Sequence, residues 1–161
     1  MIRHANASDH AAIFAVVAEA FGRPDEARLV EQLRADGDVV FELVAAEDSA
    51  VEGHILISRL WADSPALYGA LAPLAVTPAL QRRGLGAALV RSALEQAPEF
   101  GCRGVLVLGE PEYYGRFGFS NETAKGVRSP FSHLAAFQAL ALEEGAFTEP
   151  LTVAYPDAFG A

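Results

Sequence analysis

Sixteen residues carry the densest chemistry in the chain: Leu74-Ala75-Val76-Thr77-Pro78-Ala79-Leu80-Gln81-Arg82-Arg83-Gly84-Leu85-Gly86-Ala87-Ala88-Leu89. An apolar run leads into a polar turn, and Leu85, Ala88 and Leu89 then recur at helical spacing. The first N–H groups of a helix lack intrahelical acceptors and carry a partial positive charge. Gly84 and Gly86 have no Cβ, so main chain there can approach a ligand closely. Arg82 and Arg83 add positive charge just ahead of the helix. Such a turn suits a diphosphate. Two familiar phosphate motifs do not fit. The third glycine of the dinucleotide fingerprint would fall on Leu89, and the Gly-Lys-Ser/Thr of a P-loop is missing.

The elements that must position this turn can be read along the chain. Residues 2–5 suit a short strand. Ser8 is an expected N-cap for a helix carrying Ile13, Val16, Val17, Ala20 and Phe21, stopped by Gly22. A second helix begins near Pro24-Asp25, with Leu29, Val30 and Leu33 as its stripe, and Gly37 ends it. Residues 39–46 and 51–61 form a hairpin around Asp48-Ser49. A third strand spans 66–76. It contains Pro73, which cannot donate to a ladder, so a bulge or splay is expected there. The backbone it exposes is open to a ligand pairing as an added strand does.

After the helix over 84–97, closed by Pro98, Val105-Leu106-Val107-Leu108 reads as a strand buried on both faces. Strand, helix, strand in this span predicts a right-handed crossover with parallel strands. Leu134–Leu142 and Leu151–Tyr155 suit two closing strands around Gly145, and the first also has the composition of a helix. The fold class is α/β (α+β), with one domain over 1–161.

Composition excludes several functions. The 161 residues are 52% hydrophobic, with 21 acidic and 12 basic side chains and a net charge of −9. Nucleic-acid binding proteins carry a basic field, so no nucleic acid is expected as partner. An acidic surface favours a cationic acceptor. One cysteine, Cys102, builds neither a disulfide framework nor a zinc site, so no metal is expected. The start of the chain lacks a signal-peptide core, and no apolar run reaches the ~20 residues of a membrane span. A cytoplasmic protein with no membrane partner is the expectation.

Gln81-x-x-Gly84-x-Gly86 resembles the Gln/Arg-x-x-Gly-x-Gly/Ala signature of the GNAT superfamily of N-acetyltransferases. Tyr114-x-x-x-Gly118-Phe119 resembles that superfamily's second landmark. Ala20-Phe21-Gly22, Gly53-His54-Ile55, Gly109-Glu110-Pro111-Glu112-Tyr113-Tyr114 and Tyr155-Pro156-x-Ala158-Phe159 are similar to a bacterial subgroup of predicted acetyltransferases. The resemblance implies a mixed, twisted sheet with a splayed central strand pair flanked by helices. It implies acetyl-CoA as cosubstrate, with pantetheine along Leu74, Ala75 and Val76. The pyrophosphate would lie on the Gln81, Arg82, Arg83, Gly84, Leu85, Gly86 and Ala87 turn, with Tyr113 nearby. A homodimer fits as well, since late strands of this fold often pair across subunits.

The implied reaction is direct attack of a primary amine, on a small molecule or a peptide, on the thioester carbonyl. The N–H of Val76 would face the developing oxyanion. Tyr114 matches the family's general acid for the leaving thiolate, the ordinary pKa of a phenol being near that of a thiol. The family often has an Asn ahead of this tyrosine, where this chain has Gly109, Glu110 and Pro111.

Candidate bases are His54, Glu26, Glu31, Glu110 and Glu112, with His54 the best matched in ordinary pKa. Arg3, Arg59, Trp61 and Phe131 are candidates for the acceptor side. Cys102, just before an apolar strand, reads as a small buried side chain and not as an acyl carrier. Three alternatives stay open: a longer acyl group, a hydroxyl acceptor, and an acyl-CoA-binding sensor without catalysis.

Overall fold

A computed structural model describes residues 1–160. The chain forms two compact units. Strands β3 (Ala50–Ala62) and β4 (Leu67–Val76) run through both. Hydrogen-bonded neighbours follow the order Ile2–His4, Val39–Glu47, β3, β4, Cys102–Leu108, Phe137–Ala141, a mixed sheet with flanking helices.

The first unit comprises Met1–Ile57 and Ala72–Ala93. Its β1 (Ile2–His4) pairs antiparallel with β2 (Val39–Glu47), His4 lying opposite Leu43. Helices α1 (His10–Phe21) and α2 (Asp25–Ala35) bury Ile13, Val16, Val17, Val30 and Leu33 of the expected stripes and Ala27 besides, whereas Ala20 and Leu29 are half-buried and Phe21, at the helix end, is exposed. The helical start is a 3-10 turn capped by Asn6 and not by Ser8. The Asn6 side chain accepts from the Ser8 N–H while Asp9 reaches back to the Asn6 N–H. Asp9 is itself gripped by both guanidinium nitrogens of Arg3, at 2.7 and 2.9 Å, which favours Asn6 as the reciprocal partner. Gly22 closes α1 in the left-handed conformation, φ 70°.

Helix α3 (Leu85–Gln96) packs on this unit's strands through Leu89. The fit depends on Gly53 of β3. A Cβ there would lie 2.9 Å from Leu89 Cδ1 and 3.3 Å from the Ala75 carbonyl oxygen. The glycine is therefore a packing residue, and no unusual backbone angle demands it.

The second unit comprises Ser58–Leu71 and Leu94–Ala161. Its β4 segment pairs in parallel with β5 (Cys102–Leu108), from Leu67 opposite Cys102 to Leu71 opposite Val107. A register irregularity falls between Leu67 and Tyr68, so the bulge expected at Pro73 lies several residues earlier. The splay does fall at Pro73: β4 runs on to Val76, while pairing with β5 ends at Leu71, just ahead of a cis Ala72–Pro73 peptide.

Beyond β5 lie α4 (Pro111–Gly115), β6 (Val127–Arg128), β7 (Phe137–Ala141) and β8 (Leu151–Ala154). Of the Leu134–Leu142 stretch, Phe137–Ala141 is a strand, antiparallel to β5, and the stretch's helical composition is overridden. The two late strands do not pair with each other. β8 pairs with β6 and with Trp61-Ala62 of β3. Tyr68, Leu106, Phe137, Val127, Leu151 and Tyr155 form the core of this unit.

Candidate active site

The turn between β4 and α3 has the geometry of an anion cradle. Arg82 and Gly84 sit in the left-handed region, at φ 66° and 86°. An arginine held there is an outlier for an ordinary residue, and such strain gathers at ligand sites. The first helical bond of α3 runs from the Ala88 N–H to the Gly84 carbonyl, at 3.0 Å. The N–H groups of Leu85, Gly86 and Ala87 therefore precede the ladder, and no acidic side chain occupies the first turn. Gln81, Arg82, Arg83 and Gly84 are exposed.

Gln81 does not add a donor to the cradle from its side chain. Its Nε2 donates to the Val76 carbonyl at 3.0 Å. That bond has a consequence for strand β4. The Thr77 N–H donates to the Glu52 carbonyl on β3 at 2.9 Å. Main-chain groups alternate sides residue by residue along a strand. The N–H and C=O of Val76 thus point away from β3, toward the edge that β5 does not reach. Gln81 satisfies the carbonyl and leaves the Val76 N–H as the donor at that edge. Leu74 shares its orientation, and Ala75 points back toward Gly53, in keeping with the short approach of its carbonyl.

The opposite face of β3 carries a buried ionic network in the same unit. Arg34 of α2 grips Glu42 of β2 with Nε and Nη2, both at 2.8 Å. His54 Nε2 lies 2.8 Å from the same carboxylate. The His54 side chain is 0% exposed, and its Nδ1 has no partner. Burial opposes charge on Glu42, but the bonds from His54 and Arg34 outweigh it and hold the carboxyl at about 2. Burial also lowers His54, against the pull of Glu42. Glu42 is thus the anion, Arg34 its counter-ion, and His54 a neutral imidazole donating from Nε2.

In the second unit, Tyr114 lies on α4. Its ring meets Tyr113 and Phe119 edge to face at 5.0 and 5.8 Å between centroids. Burial, with a smaller contribution from Tyr113, pushes the phenol up to about 12. It stays protonated throughout the neutral range. Tyr113 is half-buried, with the Arg116 guanidinium 4.7 Å over its ring.

The remaining candidates are dispersed. Glu26 is tied to Arg23 at 2.6 and 2.9 Å, and that bond lowers its pKa, which makes it a poor base. Glu31 lines an open groove of about 540 Å³ with His10, Ala11 and Phe14. Glu110 and Glu112 are exposed. Arg3 is committed to Asp9. Arg59 stacks at 4.5 Å over Trp61, and Phe131 meets Tyr155 edge to face at 5.1 Å. Cys102 is buried, which pushes its thiol up to about 11. The Glu42 and Arg34 partners of His54 carry no sequence motif, because the bond joins a helix and two strands.

A mixed sheet whose parted strand leads into a helix start with N–H groups ahead of its first helical bond is an arrangement suited to an anionic ligand. Comparison with known proteins gives the family. The model of the acetyltransferase (GNAT) family matches residues 7–119. The chain belongs to that family and is an acyltransferase of the N-acetyltransferase type. It is 36% identical to the uncharacterized N-acetyltransferase YjhQ of Escherichia coli K12, over 96% of this chain and 92% of that protein. A crystal structure of YhbS from Escherichia coli in complex with CoA superposes with a TM-score of 0.91 at 32% identity, covering 100% of this chain and 92% of that one. A Brucella melitensis GNAT acetyltransferase in complex with acetyl-CoA gives 0.82 at 34%, covering 99% and 97%. No helix among the described residues is long and apolar enough to cross a membrane. No group of three metal-ligating side chains occurs among them.

Proposed function

We propose that the chain, acting as one domain over 1–161, transfers the acetyl group of acetyl-CoA to a primary amine of a small molecule or peptide. The observation that carries this reading is the open helix start at Leu85, Gly86 and Ala87, with Arg82 and Gly84 shaping the turn before it. It fits a diphosphate in charge and in donor direction. The relatives crystallised with CoA and acetyl-CoA support the same ligand.

The bound donor supplies an activated thioester carbon. The residues of the chain do the rest. Leu74–Val76 offer strand-like pairing, and the Val76 N–H faces the charge that develops on the carbonyl oxygen. Holding both reactants in place contributes up to ~7–11 kcal/mol. Tyr114 donates a hydrogen bond to the departing sulfur. With the phenol at about 12 against ~8.5 for an alkyl thiol, full proton transfer is uphill. The phenol therefore stabilises the thiolate by hydrogen bonding, and solvent delivers the proton. Full burial and the Glu42 bond assign His54 to holding the strand face, and amine deprotonation runs through solvent.

The test is free-thiol release from acetyl-CoA with spermidine, tyramine and a lysine-containing peptide, beside calorimetric binding of CoA. Tyr114→Phe lowers turnover at least tenfold with CoA affinity retained. Binding without thiol release would make the protein a sensor. Absence of both would refute the reading.

A further inference from the structure

Gly109 follows the end of β5 and precedes α4. Its φ is not positive, so its backbone conformation is open to any residue. A Cβ built on it would nevertheless lie 2.3 Å from Cε2 and 2.7 Å from Cδ2 of Tyr114. The aromatic ring occupies the space that a side chain at 109 would take.

The main chain of both partners is held. The Gly109 N–H donates to the Ala136 carbonyl at 3.1 Å, and its own carbonyl accepts from Nε2 of Gln138 at 3.2 Å. Gln138 is 1% exposed on β7. The Tyr114 main chain is held by its N–H on Glu110, at 3.0 Å, and by the N–H groups of Phe117 and Phe119 on its carbonyl. Tyr113, Phe117 and Phe119 crowd the rest of the ring.

We propose that Gly109 is a positioning residue: the bare Cα, pinned by Ala136 and Gln138, is the seat that sets where the Tyr114 hydroxyl points. The inference rests on the reading of Tyr114 as donor to the leaving thiolate. A methyl at 109 must push the ring back by about 1 Å to reach ordinary van der Waals contact. A displacement of that size in a reacting group costs about 100-fold in rate.

The experiment compares wild type, Gly109→Ala, Tyr114→Phe and the double variant, by thiol release from acetyl-CoA and by CoA affinity. Gly109→Ala is expected to lower kcat about 100-fold with CoA affinity unchanged, and to cost less than about twofold once Tyr114 is Phe. Equal losses in both backgrounds overturn the proposal. Wild-type turnover in Tyr114→Phe instead removes the reading of Tyr114, and the seat's purpose with it. A third background needs no turnover. Tyr114→Ala removes the ring, so Gly109→Ala lowers the melting temperature in wild type and leaves it unchanged there. A methyl that destabilises both equally refutes the contact.

Discussion

Replacing Arg34 by Met tests the network beneath the sheet. Arg34 supplies two of the three hydrogen bonds that Glu42 accepts from it and His54, in a site where the carboxylate side chain is 8% exposed. Glu42 lies at about 2 against an ordinary 4.5. Each tenfold change in an acid's dissociation is about 1.36 kcal/mol, so the bonds, net of the burial that opposes them, favour the ionised Glu42 by on the order of 3 kcal/mol. Losing one partner of a buried pair costs a similar ~3–5 kcal/mol.

The pH dependence is the sharper signature. In the native protein His54 lies below its ordinary 6.5, while in the unfolded chain it returns there. Below about pH 6.5 the unfolded state binds one proton more than the native state. Wild-type stability therefore falls as pH falls, by up to ~1.4 kcal/mol per pH unit. Without Arg34, protonated His54 becomes the cation that faces Glu42, and its native pKa rises. Both states then carry the proton, and the slope vanishes. Urea unfolding followed by circular dichroism should show a deficit of about 3 kcal/mol at pH 7.5 that shrinks as the pH falls toward 5.5. Placing Arg34→Met in a His54→Asn background should abolish the convergence. Parallel stability curves from pH 7.5 to 5.5 would refute the assignment of charge within the network.

Gly86→Asp places a carboxylate in the first turn of α3. Thermal stability should hold or rise, since an anion there gains about 0.3–1 kcal/mol, while CoA binding by calorimetry is lost. A loss of stability equal to the loss of binding would contradict the cradle. Gly53→Val drives its side chain into Leu89 and should cost about 1–3 kcal/mol in denaturant unfolding, with partial recovery in Leu89→Ala. Cys102→Ala should leave turnover intact, and intact-mass spectrometry after acetyl-CoA should show no acetylated enzyme. The buried thiol at about 11 is protonated at neutral pH.

Local signals made the strand, turn and helix around the candidate site readable. The parted strand, the turn and helix α3 follow one another within Leu67–Gln96, and hydropathy, glycines and the proline all speak for neighbours a few residues away. The helix α1 stop at Gly22 and the parallel strand pair followed for the same reason. The Asn6 cap was hidden because Asn6 and Ser8 are both good caps, and the choice depends on Asp9 being held by Arg3. Short α4 and two-residue β6 are below the length at which a period can be seen.

Residue types and spacing thus pointed to a diphosphate turn over 81–87, and the family resemblance of Tyr114-x-x-x-Gly118-Phe119 singled out Tyr114. Tertiary structure decided what each group is able to do. It gave the Gln81 side chain to the Val76 carbonyl, buried His54 against Glu42 and Arg34, pushed the Tyr114 phenol up, and set the tyrosine ring on Gly109. The reason is physical. Helix periodicity, caps and turns are written in contacts a few residues apart, whereas protonation and reach depend on which distant groups share a dry space, and no spacing along the chain records that.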